Sequence, residues 1–341
     1  MSVSSLDVNK ANSSATEKRQ GNGIPVIVLN WNGWDDTIEC LQRLREIDDG
    51  NLVWLVDNHS TLDRTAECVA IIPSLRVVKL DENFGWSGGY NRALDIASSE
   101  GFENAYLLNN DALPEPAFLQ EAENVMNSDA RAAAVGSIVL FSNSRSIKFD
   151  GGYHLENERL LDSSVHNRPY EVDQINGAGM LVRLKAFRLL GGFDERFFCY
   201  AEETEWCRRV KRSGWRLWAA PKSAILHSGE GSDVNSNARY YRLRNRFLMD
   251  LLTPRSEGRM GIVRNARKIL GQARVYWQEG DEMGYFTMLA ALRDGLLGRF
   301  GKRQDVSTGL ALRMVVFSYI WITSMISSRG ATGNAGEVRA G

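Results

Sequence analysis

Short apolar runs alternate with amphipathic stretches through the first third of the chain. Pro25–Leu29 (PVIVL) is continuous and β-branched, which suits a strand buried on both faces. Within Thr37–Ile47 the apolar positions 38, 41, 44 and 47 recur at helical spacing. Leu52–Val56 and Leu75–Leu80 read as further strands, with a helix over Asp63–Ile72 between them. Gly85–Gly89 reads as a turn that opens a helix at about Tyr90–Ser98, and Ala105–Leu108 as a fourth strand. Alternation of strand and helix in this way predicts a doubly wound α/β sheet.

The second half is less regular. Strands are expected over Ala133–Phe141, Gln174–Val182 and Trp215–Ala219, the last stopping at Pro221. Helices are expected over Lys185–Leu190 and Glu202–Ser213, each followed by glycine, and the pattern is helical from about Arg239 onward. These breaks suggest a polar N-terminal tail over 1–23, a catalytic-type α/β domain over 24–238, a helical extension over 239–329 and a short tail over 330–341.

Composition narrows the classes. With 43% hydrophobic and 24% charged residues among 341, the chain has material for a full core. A net charge of −1 gives no reason to expect a nucleic-acid partner. The four cysteines have neither zinc-type spacing nor the density of a disulfide scaffold, which fits a reducing, cytoplasmic setting. Residues 1–23 are too poor in large apolar side chains to offset ordering entropy and do not read as a signal peptide. The longest apolar run, Met314–Ile326, is shorter than the ~20 residues a membrane span needs, and suits a buried or interfacial helix. Residues 239–274 carry ten bases against Asp250 and Glu257. That is either a solvated helix face or a surface for anionic lipid head groups, the latter placing the protein peripherally on the cytoplasmic face of a membrane.

Candidate chemistry follows the strands, because open α/β sheets bind ligands beyond their carboxyl ends. Asn30 follows the first strand, Asp57, Asn58 and Ser60 the second, Asn83 with Gly88 and its neighbouring glycines the third, and Asn109, Asn110 and Asp111 the fourth. Amides and carboxylates converging on one edge suit a nucleoside. The glycines after the third strand lack dinucleotide spacing, which excludes a dehydrogenase loop. Asp111 is a candidate ligand for a divalent cation that also takes diphosphate oxygens. Further on, Glu202, Glu203 and Glu205 fall within four residues, flanked by Trp206 and other aromatics. Such carboxylates complement a helix start or serve a cation or proton transfer, and partial burial raises their basicity. His227, in a Gly/Ser-rich stretch, is a candidate metal or phosphate contact.

Seven stretches in order then resemble the family 2 glycosyltransferases of GT-A fold, and within them the bacterial rhamnosyltransferase-type branch. They are VIVLNWNGWDD, LVDNHSTLDRT, ENFGWSGGYNRAL, LLNNDALP, INGAGMLVRLKAF, LGGFDERFFCYAEETEWCRRVKRSGW and ILHSGEGS. The resemblance implies a Rossmann-like, mixed but mainly parallel sheet flanked by helices, with a C-terminal helical extension. It implies an inverting transferase using Mg2+ or Mn2+, a nucleotide-diphosphate sugar such as dTDP-rhamnose or a UDP-sugar, and a saccharide or polyprenyl-linked acceptor in cell-surface polysaccharide synthesis. Asp57, Asn83 and the backbone near Asn30 would hold the nucleoside. Asp111 and His227 would hold the metal, Glu203 would be the general base with Glu205 its rival, and Glu202 and Trp206 would line the acceptor side. Two positions depart from the family pattern: Asn109-Asn110-Asp111 carries a single acid, and the base position is Glu203 where the family has Asp. A catalytically inactive sugar-nucleotide binder is the alternative. Nucleotidyl transfer is disfavoured, since no basic phosphate loop follows the first strand.

Overall fold

The computed structural model describes residues 23–47, 51–142, 144–149, 153–154, 159–160, 168–227 and 236–303. Residues 1–22 of the expected N-terminal tail, the 314–326 run and the 330–341 tail lie outside these residues. The chain divides into two compact units after Asp233.

The first unit is a mixed α/β fold around one large sheet. It begins with β1 (Pro25–Asn30), α1 (Trp34–Glu46), β2 (Leu52–Asp57), α2 (Thr65–Ile71), β3 (Arg76–Lys79), α3 (Gly85–Ser99) and β4 (Asn104–Asn109). Next come β5 (Ala112–Pro114), α4 (Phe118–Ser128), β6 (Ala132–Leu140), β7 (Ile147–Phe149), β8 (Tyr153–His154), β9 (Arg159–Leu160) and β10 (Tyr170–Val172). It closes with β11 (Gly179–Arg183), α5 (Leu184–Leu189), α6 (Glu202–Arg212) and β12 (Arg216–His227). Strands run in the order β10-β12-β6-β11-β4-β1-β2-β3, with β5 on β12 and β7 on β6, while β8 and β9 pair separately. Contiguous β4, β1, β2 and β3 are parallel. β11 runs against both β4 and β6, and β12 runs with β6.

Central strands are apolar on both faces because helices cover both. Val26, Val28 and Leu55 pack with Leu41 and Leu44 of α1 on one side. Ile27, Trp54 and Leu107 pack with Tyr90 and Leu94 of α3 on the other. Side chains alternate across a strand, so a continuous apolar run serves two layers at once.

Several sequence expectations change. The helix expected from Tyr90 begins at Gly85, so the glycines form its first turn. A Cβ on Gly89 would lie 2.7 Å from Leu29 Cδ1, so any larger residue there would have to displace the Leu29 side chain of β1. β5 and α4 were not legible as elements. Asn176 and its neighbours form a loop, and β11 begins only at Gly179. β12 runs through Pro221, where a register shift between Ala220 and Ala224 interrupts pairing with β6. A bulge accommodates the missing N–H.

The second unit contains three helices, α7 (Ser236–Leu251), α8 (Arg255–Glu279) and α9 (Glu282–Leu296). Ile269 and Ala273 of α8 and Leu289 and Leu292 of α9 are buried. Tyr240 donates to Asp294 Oδ2 at 2.8 Å, and the buried Arg244 stacks on Tyr241 with its guanidinium 4.9 Å from the ring centroid. No helix among the described residues is long and apolar enough to cross a membrane.

Candidate active site

The site is built where the parallel strands end. Asn30 is fully buried at the end of β1. Its Oδ1 accepts from Gly33 N–H and the Thr37 hydroxyl, both at 3.0 Å, and its Nδ2 donates to Ser60 at 3.2 Å. Asn110 donates to Gly33 O at 3.1 Å and Thr37 Oγ1 at 3.0 Å. Both amides therefore stitch β1, β4 and the start of α1 together. Asp57 is 6% exposed and accepts the Ser60 N–H at 3.2 Å. Asn58 bridges the next step: its Nδ2 donates to Asn83 Oδ1 at 3.1 Å and Gly85 O at 3.0 Å, and its Oδ1 accepts the Phe84 N–H at 3.0 Å. Asn83 Oδ1 also accepts the Gly85 N–H at 2.8 Å. Gly88 is buried, and a Cβ there would meet Phe84 at 2.7 Å, so its smallness serves packing.

Register explains the meeting of Asp111 and His227. β5 lies antiparallel to β12 with Ala112 opposite His227. Asp111, one residue before Ala112, brings Oδ1 to 3.2 Å from His227 Nε2. His227 thus ends a strand rather than sitting in a loop; its Gly/Ser neighbours 228–232 lie outside the described residues. Nearby Asp36, on the first turn of α1, has its carboxyl raised by burial and by the negative charges of Asp111, Glu39 and Asp35. Among the described residues no group of three His, Cys, Asp or Glu is placed to hold a metal. One carboxylate and one imidazole do match a cation that takes its remaining ligands from a diphosphate and water.

The second wall is the segment before α6. Phe198, Tyr200 and Ala201 all have left-handed φ, at 66°, 68° and 74°. Non-glycine residues there cost about 1–3 kcal/mol each, so surrounding contacts must hold them. They do: Phe198 O accepts both the N–H and the hydroxyl of Ser87 at 3.2 Å. Asn91 and the Phe193 backbone exchange two hydrogen bonds of 2.9 Å. The loop is thereby fixed onto the start of α3, next to Trp86, whose Nε1 donates to Asn109 Oδ1 at 3.1 Å.

This loop launches the glutamate cluster, and the fold separates its members. Glu205 is 8% exposed and clamped by Arg209, whose Nε lies 2.9 Å from both carboxylate oxygens. Glu202 is 3% exposed, and its Oε2 is buried without a partner among the described residues. Burial, then the charge of Glu203, pushes the Glu202 carboxyl well up. Glu203 is half-buried; burial raises its carboxyl too, partly offset by hydrogen bonds from nearby backbone N–H groups. Trp206, expected beside the acceptor, is instead fully buried, with ring centroids of Phe187 and Phe193 both 5.7 Å away. It sits on the inward face of α6 with Cys207 and Val210. Thr37, Asn58 and Trp86 were not singled out from the sequence for these roles. Nothing local marks a threonine or tryptophan that acts by bracing two distant strand ends.

Comparison with known proteins fits this geometry. The profile described as Glycosyl transferase family 2 matches residues 26–188. Over residues 26–188 the chain is therefore similar to the family 2 glycosyltransferases. An N-acetylglucosaminyl-diphospho-decaprenol L-rhamnosyltransferase of Mycobacterium tuberculosis is 26% identical over 206 residues, which are 51% of this chain and 66% of that protein. The chain thus matches just under two thirds of the relative's length. Among solved structures, GalNAc-T7 with UDP, GalNAc and Mn2+ superposes with a TM-score of 0.52 at 14% identity, covering 65% of this chain and 47% of its own. The mannosyltransferase PcManGT of Pyrobaculum calidifontis, in complex with GDP-Man and Mn2+, gives 0.50 at 16% identity, covering 88% and 79%. The domain has the GT-A fold. Asn30 to Asp111 lie inside the family match, whereas Glu202–Trp206 and His227 lie beyond it.

Proposed function

We propose that this glycosyltransferase moves a sugar, with inversion, from a nucleotide diphosphate to a hydroxyl of a saccharide or lipid-linked acceptor. Rhamnose from dTDP-rhamnose is the first donor to test and UDP-sugars the second, since the mycobacterial relative is named as a rhamnosyltransferase acting on a decaprenyl-diphosphate sugar. The observation that carries the reading is the pairing of Asp111 with His227 at the strand ends, in a fold that also fixes the loop leading into α6 and Glu203 against α3. Asp57 and the Asn83 amide suit the nucleoside. Asp111 and His227 would hold Mg2+ or Mn2+, which when bound stabilises the departing diphosphate as a Lewis acid. Glu203 takes the proton of the acceptor hydroxyl, whose oxygen attacks the anomeric carbon from the side opposite the nucleotide. Glu205 is the weaker candidate for that role, because both of its carboxylate oxygens are already engaged by Arg209. A lipid-linked acceptor places the protein peripherally at a membrane surface.

The test is a transfer assay with dTDP-rhamnose and UDP-sugars, with Mn2+, on a polyprenyl-diphosphate-linked saccharide, reading the anomeric configuration of the product by NMR. An inverted linkage is expected. Binding of donors with neither transfer nor hydrolysis would favour an inactive sugar-nucleotide binder instead. A product of retained configuration would overturn the single-displacement mechanism.

A further inference from the structure

α8 has an unusual outward face. From Gly258 to Gln278 the chain carries five bases and no acid. At 100° per residue, Met260, Val263, Arg264 and Arg267 fall within about 100° of one another, with Arg259 and Lys268 at the two edges. These six residues line a shallow groove along the helix. Met260 is 67% and Val263 51% exposed. Arg259, Arg264, Arg267 and Lys268 are exposed as well, with no hydrogen-bond or ion-pair partner among the described residues. The opposite side, with Gly258, Gly261, Ile269 and Ala273, is buried. A helix face that is merely solvated interleaves acids with bases and has no need of exposed Met and Val.

We propose that this face of α8 docks on a bilayer surface rich in anionic phospholipid, with the four bases against head-group phosphates and Met260 and Val263 entering the interface. Charge complementarity favours that occupant, and the apolar pair between the bases favours lipid over nucleic acid. The inference rests on the lipid-linked-acceptor reading, since such an acceptor is presented at a membrane.

Flotation of the full chain with phosphatidylcholine vesicles, with and without phosphatidylglycerol, tests it. Binding is expected only with phosphatidylglycerol and is expected to weaken as salt rises. The variant Arg264→Gln/Arg267→Gln/Lys268→Gln should bind about 100-fold less, about fivefold per charge. Met260→Ser/Val263→Ser should also weaken binding. These positions are exposed, so both variants should melt like the parent protein. Wild-type binding retained in the charge variant, equal binding to both vesicle types, or no binding at all would overturn the proposal. Single-stranded RNA binding that the charge variant loses, with vesicle binding unaltered, would overturn it in favour of nucleic acid. Transfer to a lipid-free acceptor is measured in parallel and should be unchanged in both variants. Absence of donor hydrolysis and of transfer to lipid-free and lipid-linked acceptors alike in the parent protein would sink the transferase reading and leave the vesicle result standing.

Discussion

At the scale of single residues, the glutamate cluster divides by environment. Three carboxylates within four residues meet an ion pair (Glu205), full burial (Glu202) and partial burial (Glu203). Glu203→Gln is expected to lower kcat about 10²–10⁴-fold with little change in donor affinity, the usual worth of a general base. Single-turnover kinetics beside donor titration would check this, and near-normal turnover would remove Glu203 from the role. Because burial raises the Glu203 carboxyl, the acid limb of kcat should lie above the ordinary glutamate value of 4.5. Glu202 makes a stability prediction. Its folded-state pKa is raised, so the folded protein binds this proton more tightly than the unfolded chain. Stability is then lost as pH rises from the ordinary value of 4.5 through the raised one. Glu202→Gln should flatten the fall in Tm between acid and alkaline pH, measured by calorimetry across that window. An unchanged slope would show that the buried oxygen has found a partner.

At the scale of elements, the decisive contacts join segments far apart in the chain. Ser87 and Phe198 are 111 residues apart, yet their hydrogen bonds hold the loop before α6 onto α3. Gly85 makes that contact possible. It has φ of +72°, and a Cβ there would lie 2.2 Å from Phe198 O. Gly85→Ala must adopt a left-handed conformation at about 1–2 kcal/mol and must also displace the Phe198 carbonyl. Tm should fall and kcat should drop more than donor affinity, since the loop that leads into α6 and Glu203 is what moves. Equal loss of donor binding and turnover would mean that the substitution damages the nucleoside edge instead. The glycine run shows how much could be read locally. Its residues were visible as a strand-end feature, but glycine propensity argues for a turn. In the structure the run is instead the first turn of α3, with Gly89 packed close to Leu29.

At the scale of the whole molecule, ligand binding should appear as added stability. A donor at about 100 times its Kd contributes about 2.7 kcal/mol, a rise in Tm of several degrees for a unit of this size. With the matching nucleotide sugar, Mn2+ should add to the shift in the parent protein and not in Asp111→Asn. An equal Mn2+ increment in that variant would remove Asp111 from the metal site. The same scale separates the two units. Strand–helix alternation announced the first and basic helical periodicity the second. In the first unit the ends of α1, α5 and α6 were legible to within a few residues, because glycine stops are local signals. The second unit was expected only as helical, with no ends assigned.

By itself the sequence determined the α/β class, the layered core and the polar chemistry at each strand end. Those follow from side-chain periodicity and turn preference, which act over a few residues. Tertiary structure alone decided which polar groups meet and which stay accessible. Asp111 reaches His227 through the register of β5 on β12, Glu205 is taken by Arg209, Trp206 turns into the core, and Asn30 and Asn110 are consumed in bracing the edge. The physical reason is that register and helix facing are fixed by non-local burial, and no local pattern carries that information.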